Sequence, residues 1–159
     1  MTTATHETQI IVAPDLPLVR IIREFDAPPE KVFEAHTDPD ILSRWTGPHG
    51  YDVRIEEFDC RTGGSWRYVM TGDDFEGSFH GSFHDVRPDS VIIQTFAFDD
   101  IPDGVALERL EFEAIGEGRT RLTSTSLVDS FEGRDAFVAS GMEVGVREGY
   151  ERLDEILAA

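Results

Sequence analysis

The chain reads as an α+β protein, a curved antiparallel sheet of six or seven strands closed by one long C-terminal helix. Three observations predict this. Strand-like and helix-like segments are segregated along the chain, which favours an antiparallel sheet. Turn chemistry punctuates the strands at Thr62-Gly63-Gly64, Gly72-Asp73-Asp74, Arg87-Pro88-Asp89 and Gly116-Glu117-Gly118. The stretch from Gly133 to Ala159 holds an unbroken helical spacing of apolar and small residues.

Each element follows in order. Residues 1–16 are polar and read as a flexible arm, in which Ile10-Ile11-Val12 can add a short edge strand. Residues 17–159 form a single domain. Leu18 to Phe25 is the first strand. Asp26 is placed to cap a helix that begins at Pro28-Pro29 and buries Val32, Phe33 and His36. Asp38-Pro39 opens a second short helix carrying Ile41, Leu42 and Trp45, ended by Gly47-Pro48. Strands then run from Tyr51 to Phe58, Ser65 to Thr71, Phe75 to Val86, Val91 to Phe98, Val105 to Ala114 and Arg119 to Val128.

Bulk composition excludes several functions. With 32 acidic against 14 basic residues the net charge is -18, so nucleic acid and anionic membranes should repel the protein. At 159 residues the domain can bury a core without metal or disulfide staples. Cys60 is the single cysteine, which fits a reducing compartment. There is no basic-then-apolar leader and no run long enough to span a bilayer, so the expected location is the cytoplasm.

Alternation assigns faces. Leu122, Ser124 and Ser126 share a face opposite Arg121 and Thr123, and Leu110, Phe112 and Ala114 turn inward with Glu108. Trp66, Tyr68 and Met70 share one face of their strand. Around His80 and His84 the parity is undecided: either the histidines or Phe79 and Phe83 point inward. The expected interior therefore has aromatic walls and a few polar groups, the usual make-up of a small-molecule site.

The terminal helix sharpens this expectation. Val138, Gly141, Gly145, Gly149, Leu153 and Ile156 fall on one stripe. A glycine inside a helix costs about 1 kcal/mol relative to alanine. Three on one stripe mean either a close approach of sheet backbone or space kept for a ligand, and the aromatic walls favour the second.

Several runs carry a family likeness: Arg23-Glu24-Phe25-Asp26-Ala27-Pro28 with Val32-Phe33, Asp38-Pro39, Arg44-Trp45-Thr46-Gly47-Pro48, Asp59 to Arg67, Gly81 to Val86, and Ser140 to Leu153. Through these the chain resembles the START-like (SRPBCC) superfamily, in the branch named for the activator of the heat-shock-protein-ninety ATPase. The resemblance implies a helix-grip fold with a cavity between helix and sheet. The chain departs from the family pattern at Thr46, where a second tryptophan is common, and at Thr62, where proline is common.

Relatives of this superfamily are carriers, cyclases, sequestering proteins and chaperone regulators, so function has to be argued from the site. The leading expectation is binding of a small hydrophobic or aromatic molecule. Trp45, Trp66, Tyr68, Met70 and Phe96 are expected to wall the site, with Phe112, Phe137 and Met142 closing it. Glu108, the Tyr68 hydroxyl and His80 are expected to orient the ligand. A polyketide cyclase-like or hydrolase-like enzyme using Glu108 as acid–base group comes second, and a chaperone regulator acting through protein contacts third. No metal, cofactor or catalytic set is read from the sequence: the histidines lack a third ligand at metal spacing, and no nucleophile elbow is present. Homodimerisation is left open.

Overall fold

The computed structural model describes residues 6–159; the first five residues of the expected arm lie outside it. Eight strands form one antiparallel sheet: β1 (Gln9–Val12), β2 (Leu18–Phe25), β3 (Asp52–Phe58), β4 (Ser65–Thr71), β5 (Glu76–Arg87), β6 (Val91–Phe98), β7 (Val105–Gly116) and β8 (Arg119–Leu127). Their spatial order is β1-β2-β8-β7-β6-β5-β4-β3. From β3 to β8 the sheet is a meander, because each strand ends in a short turn that pairs it with the next. The strand beyond the expected number is β1, which pairs with β2 from Gln9↔Ile22 to Val12↔Val19. The described part of the arm is thus tied down, and Thr8 beside it is buried.

Bulges between Ile55 and Glu57, Phe83 and Asp85, and Ala114 and Gly116 add local twist and bend the sheet. Two short helices, α1 (Pro29–Thr37) and α2 (Pro39–Trp45), link β2 to the opposite sheet edge at β3. Asp38 caps α2 by accepting from the backbone N–H of Asp40 at 2.9 Å. Asp26 does not cap α1: the cap position falls on Pro28, whose side chain offers no acceptor, and Asp26 pairs with His6 at 2.9 Å instead.

The terminal helix is two helices, which corrects the expectation of one. α3 (Phe131–Ala139) is capped by Ser130, and α4 (Met142–Ala158) starts after Gly141. Gly141 has φ +87°, a left-handed conformation that a continuous right-handed helix cannot contain. The break resets the helical phase. Inward positions on α4 are Met142, Val146, Tyr150, Leu153 and Leu157, which pack on or belong to the core. Val138 is 37% exposed, outside the stripe it was expected to share.

The core lies between α1, α2, α4 and the concave sheet face. Phe25, Val32, Leu122 and Leu153 are each wholly buried there. Arg23 joins them as a buried cation on β2, donating to both carboxylate oxygens of Asp154 on α4 at 3.0 and 2.6 Å. That two-pronged pair ties the helix to the sheet at a fixed register.

Candidate functional site

Strand registers decide which side chains meet. Val19, Ser126, Glu108, Gln94 and Phe83 are successive cross-strand partners on the concave face. Glu108 is the centre of this row. Its carboxylate accepts from the Ser126 hydroxyl at 2.7 Å and from the Gln94 amide at 3.0 Å. Burial pushes the Glu108 carboxyl above the usual range, and those two hydrogen bonds pull against the shift without cancelling it. The residue nevertheless keeps partial accessibility. Glu108 is thus a polar group set among the rings of the concave face, with its side chain bonded to both neighbouring strands.

The neighbouring part of the concave face is an aromatic wall. Tyr68 stacks on Trp66 at 5.4 Å and lies tilted against Phe79 at 5.4 Å. Phe96 completes the wall, 5.7 Å from Trp66 and 5.4 Å from Phe79. Tyr68, Phe79, Phe96 and Leu110 are only partly buried, whereas Trp66 behind them is 5% exposed. Gly81 makes this layering feasible, since a Cβ there would lie 2.6 Å from the Trp66 indole nitrogen. Met142, Val146 and Tyr150 of α4 and Phe137 of α3 pack on or within the core.

Other expected site residues have different work. Trp45 is 8% exposed, donates its indole N–H to the Ala35 carbonyl at 2.9 Å and stacks 6.0 Å from Tyr150. It is a post between α2 and α4, and no part of it lies at a cavity mouth. Phe112 is 6% exposed, wedged edge-on against Phe33 and His36 under α1. Met70 covers Gly47, where a Cβ would meet its methyl group at 2.8 Å. His80 is corrected outright: Phe79 pairs with Phe98 and faces inward, so His80 stands on the convex face. There its Nδ1 lies 2.6 Å from Asp99, which also accepts from Arg67 at 2.6 Å.

The glycines on α4 mark close approach, not empty space. A Cβ on Gly149 would sit 2.8 Å from the Trp45 carbonyl oxygen, and one on Gly145 would touch Pro48 at 3.5 Å. Nearby, Arg152 donates to the Gly47 carbonyl, and Glu148 accepts from the His49 N–H at 2.8 Å. This side of α4 is docked on the Trp45–His49 loop. Gly145 and Gly149 are therefore no sign of space kept for a ligand.

Two grooves open elsewhere. One of about 390 Å³ lies between α2 and β3, lined by Pro39, Asp40, Val53 and Ile55. The other, about 500 Å³, lies on the convex face between Arg20, Leu107 and Leu127. Neither is under α4. Among the described residues no group of three His, Cys, Asp or Glu side chains is arranged to hold a metal ion. Cys60 has its thiol pushed up to about 11 by burial and by Asp59, which makes it a poor nucleophile.

Residues 26–158 match the family model described as activator of Hsp90 ATPase homolog 1-like protein. The chain belongs to that family. A Rhodobacter sphaeroides protein of known crystal structure is 30% identical with a TM-score of 0.85, covering 96% of this chain and 99% of its own. An Arthrobacter aurescens protein solved by NMR is 28% identical with a TM-score of 0.85, over 94% of this chain and 91% of its own. An Aeromonas hydrophila protein described as AHSA1-like shares the fold at 20% identity and a TM-score of 0.65, over 86% and 93% of the two chains. No curated protein matches. The family match spans Phe83, Gln94, Glu108 and Ser126, and the fold is that of the START-like superfamily.

Two members of the site escaped the sequence reading. Gln94 was discoverable, since alternation from Ile92 and Phe96 puts it inward, opposite Glu108. Tyr150 was hidden by the glycine stripe. The spacing Met142, Val146, Tyr150, Leu153 carries the true inner face.

Proposed function

We propose that the protein binds a small hydrophobic or aromatic molecule between α4 and the concave sheet face. The observation that carries this is Glu108, a deep carboxyl with accessible surface beside a wall of partly buried rings. Core rings normally seal against one another; Tyr68, Phe79 and Phe96 leave surface uncovered. A flat apolar ligand would gain burial against them, and Glu108 with its neighbours would fix its orientation.

The test is titration of detergent-free protein with the uncharged probe N-phenyl-1-naphthylamine. Saturable 1:1 binding, abolished by Leu110→Trp in a variant that keeps its far-ultraviolet spectrum and cooperative melting, is the expected result. Binding that ignores Leu110→Trp, or never saturates, would sink the proposal. The raised Glu108 carboxyl also supports a second reading, acid–base catalysis on such a molecule. Turnover of a bound aromatic polyketide, lost in Glu108→Gln, would favour it.

A further inference from the structure

The groove of about 500 Å³ on the convex face combines an apolar floor with uncommitted positive charge. Strand registers build it from two rows of side chains. In one row Leu18, Leu127 and Leu107 are successive cross-strand neighbours. Leu107 is 46% and Leu127 39% exposed, so this floor is uncovered. In the next row Arg20, Thr125, Arg109 and Ile93 are partners across β2, β8, β7 and β6. Adjacent strands lie about 4.8 Å apart, so the two arginines are rooted about 10 Å from each other, with Thr125 between them. All three line the groove.

The charges of this row are poorly neutralised. Arg20 donates from Nε to the Thr125 hydroxyl at 3.3 Å. Among the described residues it forms no ion pair, and its two Nη groups have no partner. Arg109 meets the Glu111 carboxylate only at 3.7 Å, beyond hydrogen-bond reach. On a chain with 32 acidic residues against 14 basic, an arginine left without an acid is available to an anion from outside.

The surroundings select among anions. The strands under the groove are interior to the sheet, so a peptide cannot add there as a further strand. A second copy of the chain, or an anionic membrane, brings many negative charges against a net -18 and is repelled. A small monoanion brings one. We infer that the convex groove is a separate binding site for a small organic monoanion, a carboxylate or sulfonate on an apolar body. Its charged end lies on Arg20 and Thr125 beside Arg109, and its apolar part covers Leu107 and Leu127. Guanidinium groups suit such oxyanions because two parallel N–H donors meet two oxygens. This site is independent of the one proposed under α4.

The probe is anilinonaphthalenesulfonate, which is N-phenyl-1-naphthylamine with one sulfonate added, titrated in low salt. Saturable 1:1 binding is expected. Arg20→Gln, at an exposed position that should not disturb folding, should weaken it about tenfold, the worth of one charged hydrogen bond. Leu107→Ser should weaken it too, while Glu111→Gln, which removes the carboxylate beside Arg109, should tighten it. Leu110→Trp, on the concave face, should leave it unchanged, and Arg20→Gln should not alter binding of the uncharged parent probe. Absence of binding, indifference to Arg20→Gln and Leu107→Ser, or loss in Leu110→Trp instead would overturn the assignment. So would sedimentation showing a dimer that Leu107→Ser dissolves, since a second copy would then occupy the groove.

Discussion

Two interior groups, His36 and Glu108, give the stability of this protein opposite pH dependences. His36 on α1 donates from Nδ1 to the Val32 carbonyl at 2.7 Å and sits between Trp45 and Phe112. Burial lowers its pKa from 6.5 to about 4. The unfolded chain therefore binds a proton here at a pH where the folded chain does not. Stability falls as pH drops across that window and levels off below it, a loss of about 3 kcal/mol at about 1.4 kcal/mol per unit. Glu108 acts the other way: its folded carboxyl keeps the proton above the unfolded value, so stability is lost as pH rises through the folded pKa. Urea unfolding from pH 4 to 8 should show Glu108→Gln gaining on wild type towards neutral pH and converging near pH 4. The gap between wild type and His36→Gln should open in wild type's disfavour as pH falls from 6.5. Parallel curves for all three proteins would refute both assignments.

At the scale of elements, α4 is fixed on both flanks: Arg23–Asp154 holds it to β2, and its glycine side seats on the Trp45–His49 loop. The two glycines of α4 should respond oppositely to alanine. Gly145→Ala gains about 1 kcal/mol of helix propensity, and its new methyl makes only an ordinary contact with Pro48 at 3.5 Å. Gly149→Ala places a methyl 2.8 Å from a backbone carbonyl that cannot move without shifting α2. The overpacking penalty of about 1–3 kcal/mol should outweigh the propensity gain. Thermal melting checks the pair: Gly145→Ala above wild type and Gly149→Ala below it. Equal shifts of the same sign would mean that α4 does not seat on the loop as described.

The whole molecule carries a net charge of -18 over 159 residues, so self-repulsion opposes the compact state. Many ion pairs decorate its surface, such as Arg147–Glu143 and Arg87–Asp85, but exposed pairs are individually weak. Screening should therefore relieve more repulsion than it costs in attraction. Raising sodium chloride from about 20 mM to about 500 mM shrinks the Debye length from about 20 Å to about 4 Å, and the melting temperature should climb. A flat or falling melting temperature would show that the local pairs outweigh net charge.

Alternation along strands is a local property, so the sequence by itself determined the order of elements, the inward set Trp66, Tyr68, Met70, Glu108, Leu110 and Phe112, and the acidic surface. The START-like likeness was readable for the same reason, from short runs at fixed order. What depends on contacts far apart in the chain was decided only by the tertiary structure. The Phe79↔Phe98 register turned His80 outward. The left-handed Gly141 split the terminal helix and rotated Tyr150, not the glycines, towards the site. A helical stripe cannot say whether its small residues face a void or a neighbour's backbone, because that neighbour, the loop at Trp45 to His49, lies about a hundred residues earlier.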